Sequence, residues 1–257
     1  MLLALDVGNT ETVVGLFDGE DLVSRWRTAT NAERTADEHA LLVSQLLGLR
    51  GHECHEVVTG MAVSSTVPRL RATLREMSEL WFGVPTVVLE PGVRSGMPIL
   101  YEDPREVGAD RIANGVAAYE RYGGPSVVVD FGTATTLDAV SAQGEYLGGA
   151  IVPGIEIGVD ALFSRAAALP RIEVVEPRRV IGKSTVESIR SGAVFGSAAL
   201  VDGMCDRFER ELGECTVIAT GGLSGLITPH SRRIDHNEPW LTLHGLRLVF
   251  ERNTPAA

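Results

Sequence analysis

Residues Ser126–Thr136 read S-V-V-V-D-F-G-T-A-T-T. Three valines form a β-branched apolar run of the kind buried on both faces of a sheet, and the run ends at a carboxylate, Asp130. Gly132 permits a sharp reversal, and the hydroxyls of Thr133, Thr135 and Thr136 follow at once. An acid at the exit of a buried strand, beside a turn rich in amides and hydroxyls, suits a metal-bound phosphate. Taken alone, the stretch is equally an ordinary hairpin whose aspartate hydrogen-bonds its own turn.

A second copy shifts the balance toward phosphate. Leu2–Thr12 reads L-L-A-L-D-V-G-N-T-E-T: an apolar strand, Asp6, one apolar residue, Gly8, then Asn9 and Thr10. The two aspartates stand about half the chain apart. Each corner leads through a polar-alternating segment (Thr12–Phe17; Thr136–Ser141) and a turn (Asp18-Gly19; Gln143-Gly144) into another strand-like run. Two hairpins with the same carboxylate-glycine-hydroxyl corner imply an internal duplication. The expected fold is α/β, with two lobes over 1–119 and 120–257, each a mixed sheet flanked by helices, and with both corners facing one cleft.

The chain of 257 residues can bury roughly 70–75 % of its unfolded surface, enough for one large or two modest cores. Lys and Arg number 23 against 34 Asp and Glu, a net charge of −11 with no basic tail or stripe, so neither nucleic acid nor an anionic membrane is expected as a partner. An anionic ligand then needs locally placed cations or magnesium. The three cysteines, Cys54, Cys205 and Cys215, are odd in number and show no metal-ligand spacing, which reads as a reduced, cytoplasmic thiol inventory. The apolar start before Asp6 is too short for a signal-peptide core, and no run approaches the roughly 18 apolar residues of a membrane span.

Between the corners, strands and helices alternate. Thr35 with Glu38 forms a capping box ahead of Leu42, Val43, Leu46 and Leu47, an apolar stripe at helical spacing. Glu56–Ser64 is strand-like and runs into the hydroxyls of Ser64, Ser65 and Thr66; Pro68 opens a helix expected to reach Leu80; Thr86–Leu89 is a further strand. The irregular segment Pro91–Pro104 has the composition of a ligand-contacting loop, and Tyr101 within it either touches a ligand or covers the loop. V-G-A-D-R at 107–111 precedes a helical run from Ile112 to Tyr122. Asp110 can serve there as the N-cap. Arg111 asks for more, because a cation in the first turn opposes the helix dipole at a cost of about a few tenths of a kcal/mol, a placement that an anionic ligand would justify.

Beyond the central corner come a strand, Tyr146–Val152, an amphipathic helix, Ile155–Leu169, and a long helix toward Leu212. The long helix is opened by a second capping box, Ser184 with Glu187, which puts Thr185 in its first turn, where free amides and hydroxyls meet carboxylates or phosphates. Gly192, Ala193, Gly196, Ser197 and Ala199 along it point to a closely packed backbone, within the chain or across a dimer. Thr216–Thr220 is a strand entering a Gly221-Gly222 bend, and Leu241–Phe250 reads as a short helix or strand.

In chain order, D-V-G-N-T at 6–10, G-A-D-R at 108–111, D-F-G-T-A-T-T at 130–136, G-K-S-T at 182–185, A-T-G-G at 219–222 and L-T-L-H-G-L at 241–246 together resemble type III pantothenate kinases, within the actin-like ATPase (acetate and sugar kinase) superfamily. The resemblance implies a duplicated actin-like, ribonuclease H-like fold and ATP-dependent phosphorylation of pantothenate to 4'-phosphopantothenate, the first step of coenzyme A biosynthesis. It implies that Asp6, Val7, Gly8, Asn9, Thr10, Glu11, Thr12 and Val13 form the ATP phosphate loop, with Asp6 facing Mg²⁺, and that Thr133 contacts ATP. Tyr101, Gly108, Ala109, Asp110, Arg111 and Thr185 would bind pantothenate, Asp110 being the proton acceptor, and Asp130 would hold a monovalent cation, K⁺ or NH₄⁺. A homodimer is implied as well. Two rival expectations stand beside this one: a nucleotide-binding regulator that has lost catalysis, against which the intact Asp110 speaks, and a sugar or acetate kinase, whose chains are usually longer.

Overall fold

The computed structural model describes residues 1–166 and 171–254. The chain forms two compact units, Met1–Ala117 with the stretch from Leu241 onward, and Ala118–Trp240. In the first unit β1 (Leu2–Val7), β2 (Glu11–Asp18) and β3 (Asp21–Ala29) make an antiparallel meander, followed by α1 (Ala36–Gly48), the short α2 (Cys54–Val57), β4 (Gly60–Ser65), α3 (Pro68–Met77) and β5 (Thr86–Val88). The strand order is β3-β2-β1-β4-β5, with β4 parallel to β1 and β5 parallel to β4. Leu3, Ala4, Leu5 and Val7 of the central strand are all buried, as a strand with both faces covered requires. The unit boundary falls inside α4 (Ala109–Tyr122), between Ala117 and Ala118.

α1 starts where its capping box predicts: Glu38 N donates to Thr35 Oγ1 at 3.3 Å, and Thr35 N donates to the Glu38 carboxylate at 2.8 Å. Two neighbours differ from expectation. The strand expected over Glu56–Ser64 begins only at Gly60, because the amides of Glu56 and Val57 turn back to Glu53 O; a Cβ on Gly60 would lie 2.3 Å from the Phe250 ring. α3 ends at Met77 instead of Leu80, and Ser78–Phe82 continue as a wider π-type turn closed by Gly83 at φ 61°.

The second unit contains β6 (Ser126–Phe131), β7 (Ala134–Val140), β8 (Tyr146–Pro153), α5 (Ile155–Arg165), α6 (Thr185–Leu212), β9 (Thr216–Thr220), α7 (Ser224–Ile227) and β10 (His236–Asn237). Its order is β8-β7-β6-β9-β10, antiparallel through β8, β7 and β6 and parallel from β6 to β10, which repeats the plan of the first sheet strand for strand. The registers coincide as well. Asp6 faces Val13 and Ser64; Asp130 faces Thr136 and Thr220. α5 ends at Arg165, and residues 167–169 of the helix expected there lie outside the described residues.

The chain then returns to the first unit. Leu241–Asn253 is a helix, α8, that packs on β1 and β4, whereas the expected second lobe had taken in everything from 120 to 257. Leu241, Leu243, Leu246 and Val249, each 1 % exposed, explain the attachment: their apolar surface is what the first unit buries.

Candidate active site

In the first unit, β1 and β2 are joined by Gly8, Asn9 and Thr10. Gly8 N donates to Glu11 O at 3.0 Å, and a Cβ on Gly8 would stand at the same distance from that oxygen, so the tight corner leaves no slack for a side chain. Asp6, one residue before the end of β1, accepts the Ser64 hydroxyl from β4 at 2.5 Å. Burial and then the charge of Asp110 push the Asp6 carboxyl up from 3.8 to about 7, against the lowering effect of the Ser64 bond. Two acids thus lie close enough for one to disturb the ionisation of the other, an arrangement that a bound cation would relieve.

Asp110 reaches this place because α4 begins at Ala109, three residues earlier than expected. It is therefore not the N-cap. It sits in the first turn, where its Oδ1 accepts from Arg111 N at 2.9 Å. Gly108 makes the room, since a Cβ there would lie 2.4 Å from the same Oδ1. Arg111 is buried, a guanidinium kept at a helix start whose dipole disfavours it. Tyr101 is partly exposed in the loop before α4, and that loop is tied down by Arg252 Nη1 on Ser95 O (2.6 Å) and by Asn253 Nδ2 on Arg94 O (2.9 Å). Under the loop a cavity of about 240 Å³ is lined in part by Leu89, Pro91, Ile99, Val107, Ala109 and Ile112, so α4 presents one apolar wall immediately beside Asp110.

Of the other residues of the expected phosphate loop, Val7 ends β1, and Glu11, Thr12 and Val13 belong to β2. Glu11 pairs with Arg27 at 2.6 Å, the hydroxyls of Thr12 and Thr30 lie 2.8 Å apart, and Val13 faces Asp6. Ser64 is a site residue that sequence reading passed over: its hydroxyl was visible at a strand end, but only the β1–β4 pairing brings it to Asp6.

Asp130, Thr133 and Thr185 lie in the second unit. Gly132 N closes on Ala134 O at 3.1 Å, and Gly154 N donates to Thr133 O at 3.2 Å. The A-T-G-G turn presses on the same corner, for Gly221 has φ 92° and a Cβ on it would stand 2.5 Å from Asp130 Oδ1. Asp130 stays partly exposed and Thr133 exposed. Thr185 is exposed as the first residue of α6, with Ser184 Oγ accepting from Glu187 N at 3.3 Å as the N-cap.

Among the described residues no three His, Cys, Asp or Glu side chains gather as a metal cage. The Asp6 carboxylate nevertheless suits Mg²⁺, which takes one or two carboxylates and fills its octahedron with phosphate oxygens and water.

A doubled mixed sheet with an acid near the end of each central strand defines the actin-like ATPase fold, in which many phosphotransferases are built. Solved structures share it: a Baf family transcriptional activator from Campylobacter jejuni (TM-score 0.61, 19 % identity, 98 % of each chain covered) and a ROK family glucokinase from Streptomyces griseus in complex with glucose and AMPPNP (TM-score 0.54, 14 % identity, 95 % of this chain and 97 % of that one). The sequence model of type III pantothenate kinase matches residues 2–207, and the chain belongs to that family. A relative from Streptomyces coelicolor named type III pantothenate kinase is 57 % identical, with 98 % of each chain covered.

Proposed function

We propose that this protein transfers the terminal phosphoryl group of ATP to pantothenate, giving 4'-phosphopantothenate, the entry step of coenzyme A biosynthesis. The observation that carries the reading is the acidic pair of Asp6 and Asp110, in which the charge of Asp110 adds to burial in raising the Asp6 carboxyl, beside a glycine-hydroxyl corner in a member of this family. Phosphoryl transfer runs through a loose transition state, so positioning and charge neutralisation do most of the work. Bound Mg²⁺ supplies part of that neutralisation, and Asp6 is the residue that would hold it. The amides and hydroxyls of Gly8 to Thr10 cradle phosphate oxygens, with Val7 and Glu11 to Val13 holding the corner in shape, and Thr133 meets the nucleotide.

Asp110 accepts the acceptor hydroxyl's proton. A weak base suffices, since that hydroxyl becomes acidic only as its bond to phosphorus forms. Arg111 takes the pantothenate carboxylate by a forked contact, and Tyr101, Gly108, Ala109 and Thr185 complete the acceptor site. Asp130 holds a monovalent cation, K⁺ or NH₄⁺. The working form is a homodimer, supported by the open face of α6, where a Cβ on Gly192, Gly196 or Gly203 meets nothing within 4 Å among the described residues, and by the exposed Val180, Ile181 and Leu200. The cytoplasm is its compartment, in keeping with the free thiols of Cys205 and Cys215; among the described residues no helix is long and apolar enough to cross a membrane.

ADP release by the purified protein should depend on added pantothenate, and Asp110→Asn should lower turnover on the order of 10²-fold while calorimetry still detects ATP binding. ATP binding without pantothenate-dependent ADP release would make the chain a nucleotide-binding regulator instead. Full turnover in Asp110→Asn would reduce that residue to a helix-start contact.

A further inference from the structure

The L-T-L-H-G-L motif at 241–246 touches none of the chemistry described so far. It forms the start of α8, and its contacts run in two directions. Toward α4, Thr242 Oγ1 donates to Asn114 Oδ1 at 2.8 Å, with both side chains buried and 128 positions apart in sequence. A Cβ on Gly245 would stand 1.9 Å from Ala113 O, so the two helices meet backbone to backbone and only glycine fits between them. Ala113 and Asn114 lie one turn beyond Asp110 on the same helix. Toward β2, the Leu243 side chain fills the space over Gly15, whose Cβ would meet Leu243 Cδ1 at 2.7 Å, and the His244 ring meets Phe17 edge-on at 5.2 Å between centroids. β2 is paired along its length with β1, the strand of Asp6.

One helix therefore ties the start of α4 to the hairpin that carries the other acid. We infer that Thr242, Asn114 and Gly245 are positioning residues for phosphoryl transfer: they fix where the Asp110 carboxyl stands relative to Asp6. The inference rests on the reading of Asp110 as proton acceptor. None of the three is assigned to ATP or pantothenate, so their loss acts on the reacting geometry and spares ground-state binding, and a displacement of about 1 Å at a reacting group can cost up to 10²-fold.

The test is a mutant cycle on the full chain, with melting curves run alongside to confirm folding. Thr242→Val removes the donated hydrogen bond at nearly constant volume and should lower kcat about tenfold, with KM for ATP and for pantothenate changed less than about twofold. Thr242→Ser, which keeps the hydroxyl, should restore turnover to within about twofold of wild type. In an Asp110→Asn background the same Thr242→Val change should cost less than about a further twofold, because the group being positioned is gone. If Thr242→Val does not fold, Asn114→Ala breaks the bond from the other side and is read in the same cycle. Wild-type kcat in the folded variant, a rise confined to the two KM values, or a penalty that multiplies in full on top of Asp110→Asn would each overturn the inference. Wild-type turnover in Asp110→Asn alone would overturn the proton-acceptor reading itself, and the two failures are thereby told apart.

Discussion

Buried beside a second acid, the carboxyl of Asp6 ionises near pH 7 where an ordinary aspartate does so at 3.8. The folded chain then keeps a proton that the unfolded chain has already released, so between about pH 4 and pH 7 each rise in pH favours unfolding through this group. Its contribution to stability is full below the lower value and is lost as pH climbs through the upper one. Asp6→Asn, measured without Mg²⁺ or nucleotide, should melt a few degrees higher than wild type at pH 8 and much like it at pH 4, while losing activity. Equal melting temperatures at pH 8 would show that the carboxyl bears no such burden. The acid itself was legible, because its corner occurs twice in the chain. Its partner Ser64 was not: the pair is separated by 58 positions, and a strand-end serine looks the same with or without an acid across the ladder.

At the scale of elements, signals written in neighbouring residues were readable: the Thr35 and Glu38 box, Pro68 at a helix start, and the two hairpins all stand where expected. Elements decided by distant packing were not. L-T-L-H-G-L satisfies a strand period through Leu241 and Leu243 and a helix period through Leu243 and Leu246, and only the surface waiting on β1 and β4 selects the helix. The A-T-G-G turn is a third case, weak alone in sequence but pressed in the fold against the Asp130 corner. Gly221→Ala must both abandon φ 92° and push on Asp130 Oδ1 from 2.5 Å. If Asp130 seats a monovalent cation, as proposed above, this variant should need at least about tenfold more K⁺ for half-maximal activity, at fixed ionic strength and with sodium as the balancing ion. An unchanged K⁺ requirement, or wild-type rates in sodium alone, would remove that role from Asp130.

For the whole molecule, the duplication was readable from two short motifs because it is a property of order and spacing. The membership of the last helix was not, since nothing in its own residues says which sheet it covers. The open glycine face of α6 leads to the prediction at this scale. Sedimentation should give twice the 27.5 kDa chain mass at micromolar concentration, and Gly196→Leu, at a position whose Cβ meets nothing within 4 Å among the described residues, should still melt cooperatively and yield the single-chain mass. A wild-type protein that sediments as one chain would end the dimer proposal.

Because α8 seals the first unit, that unit is assembled from two segments that flank the second unit in sequence. A ribosome adding roughly 5–20 residues per second delivers β1 through β5 well before the helix that covers them, while the second unit emerges with all its parts contiguous. The unit whose strands are born first is thus completed after the second unit, and until α8 emerges the flank of β1 and β4 stays bare to any chaperone within reach.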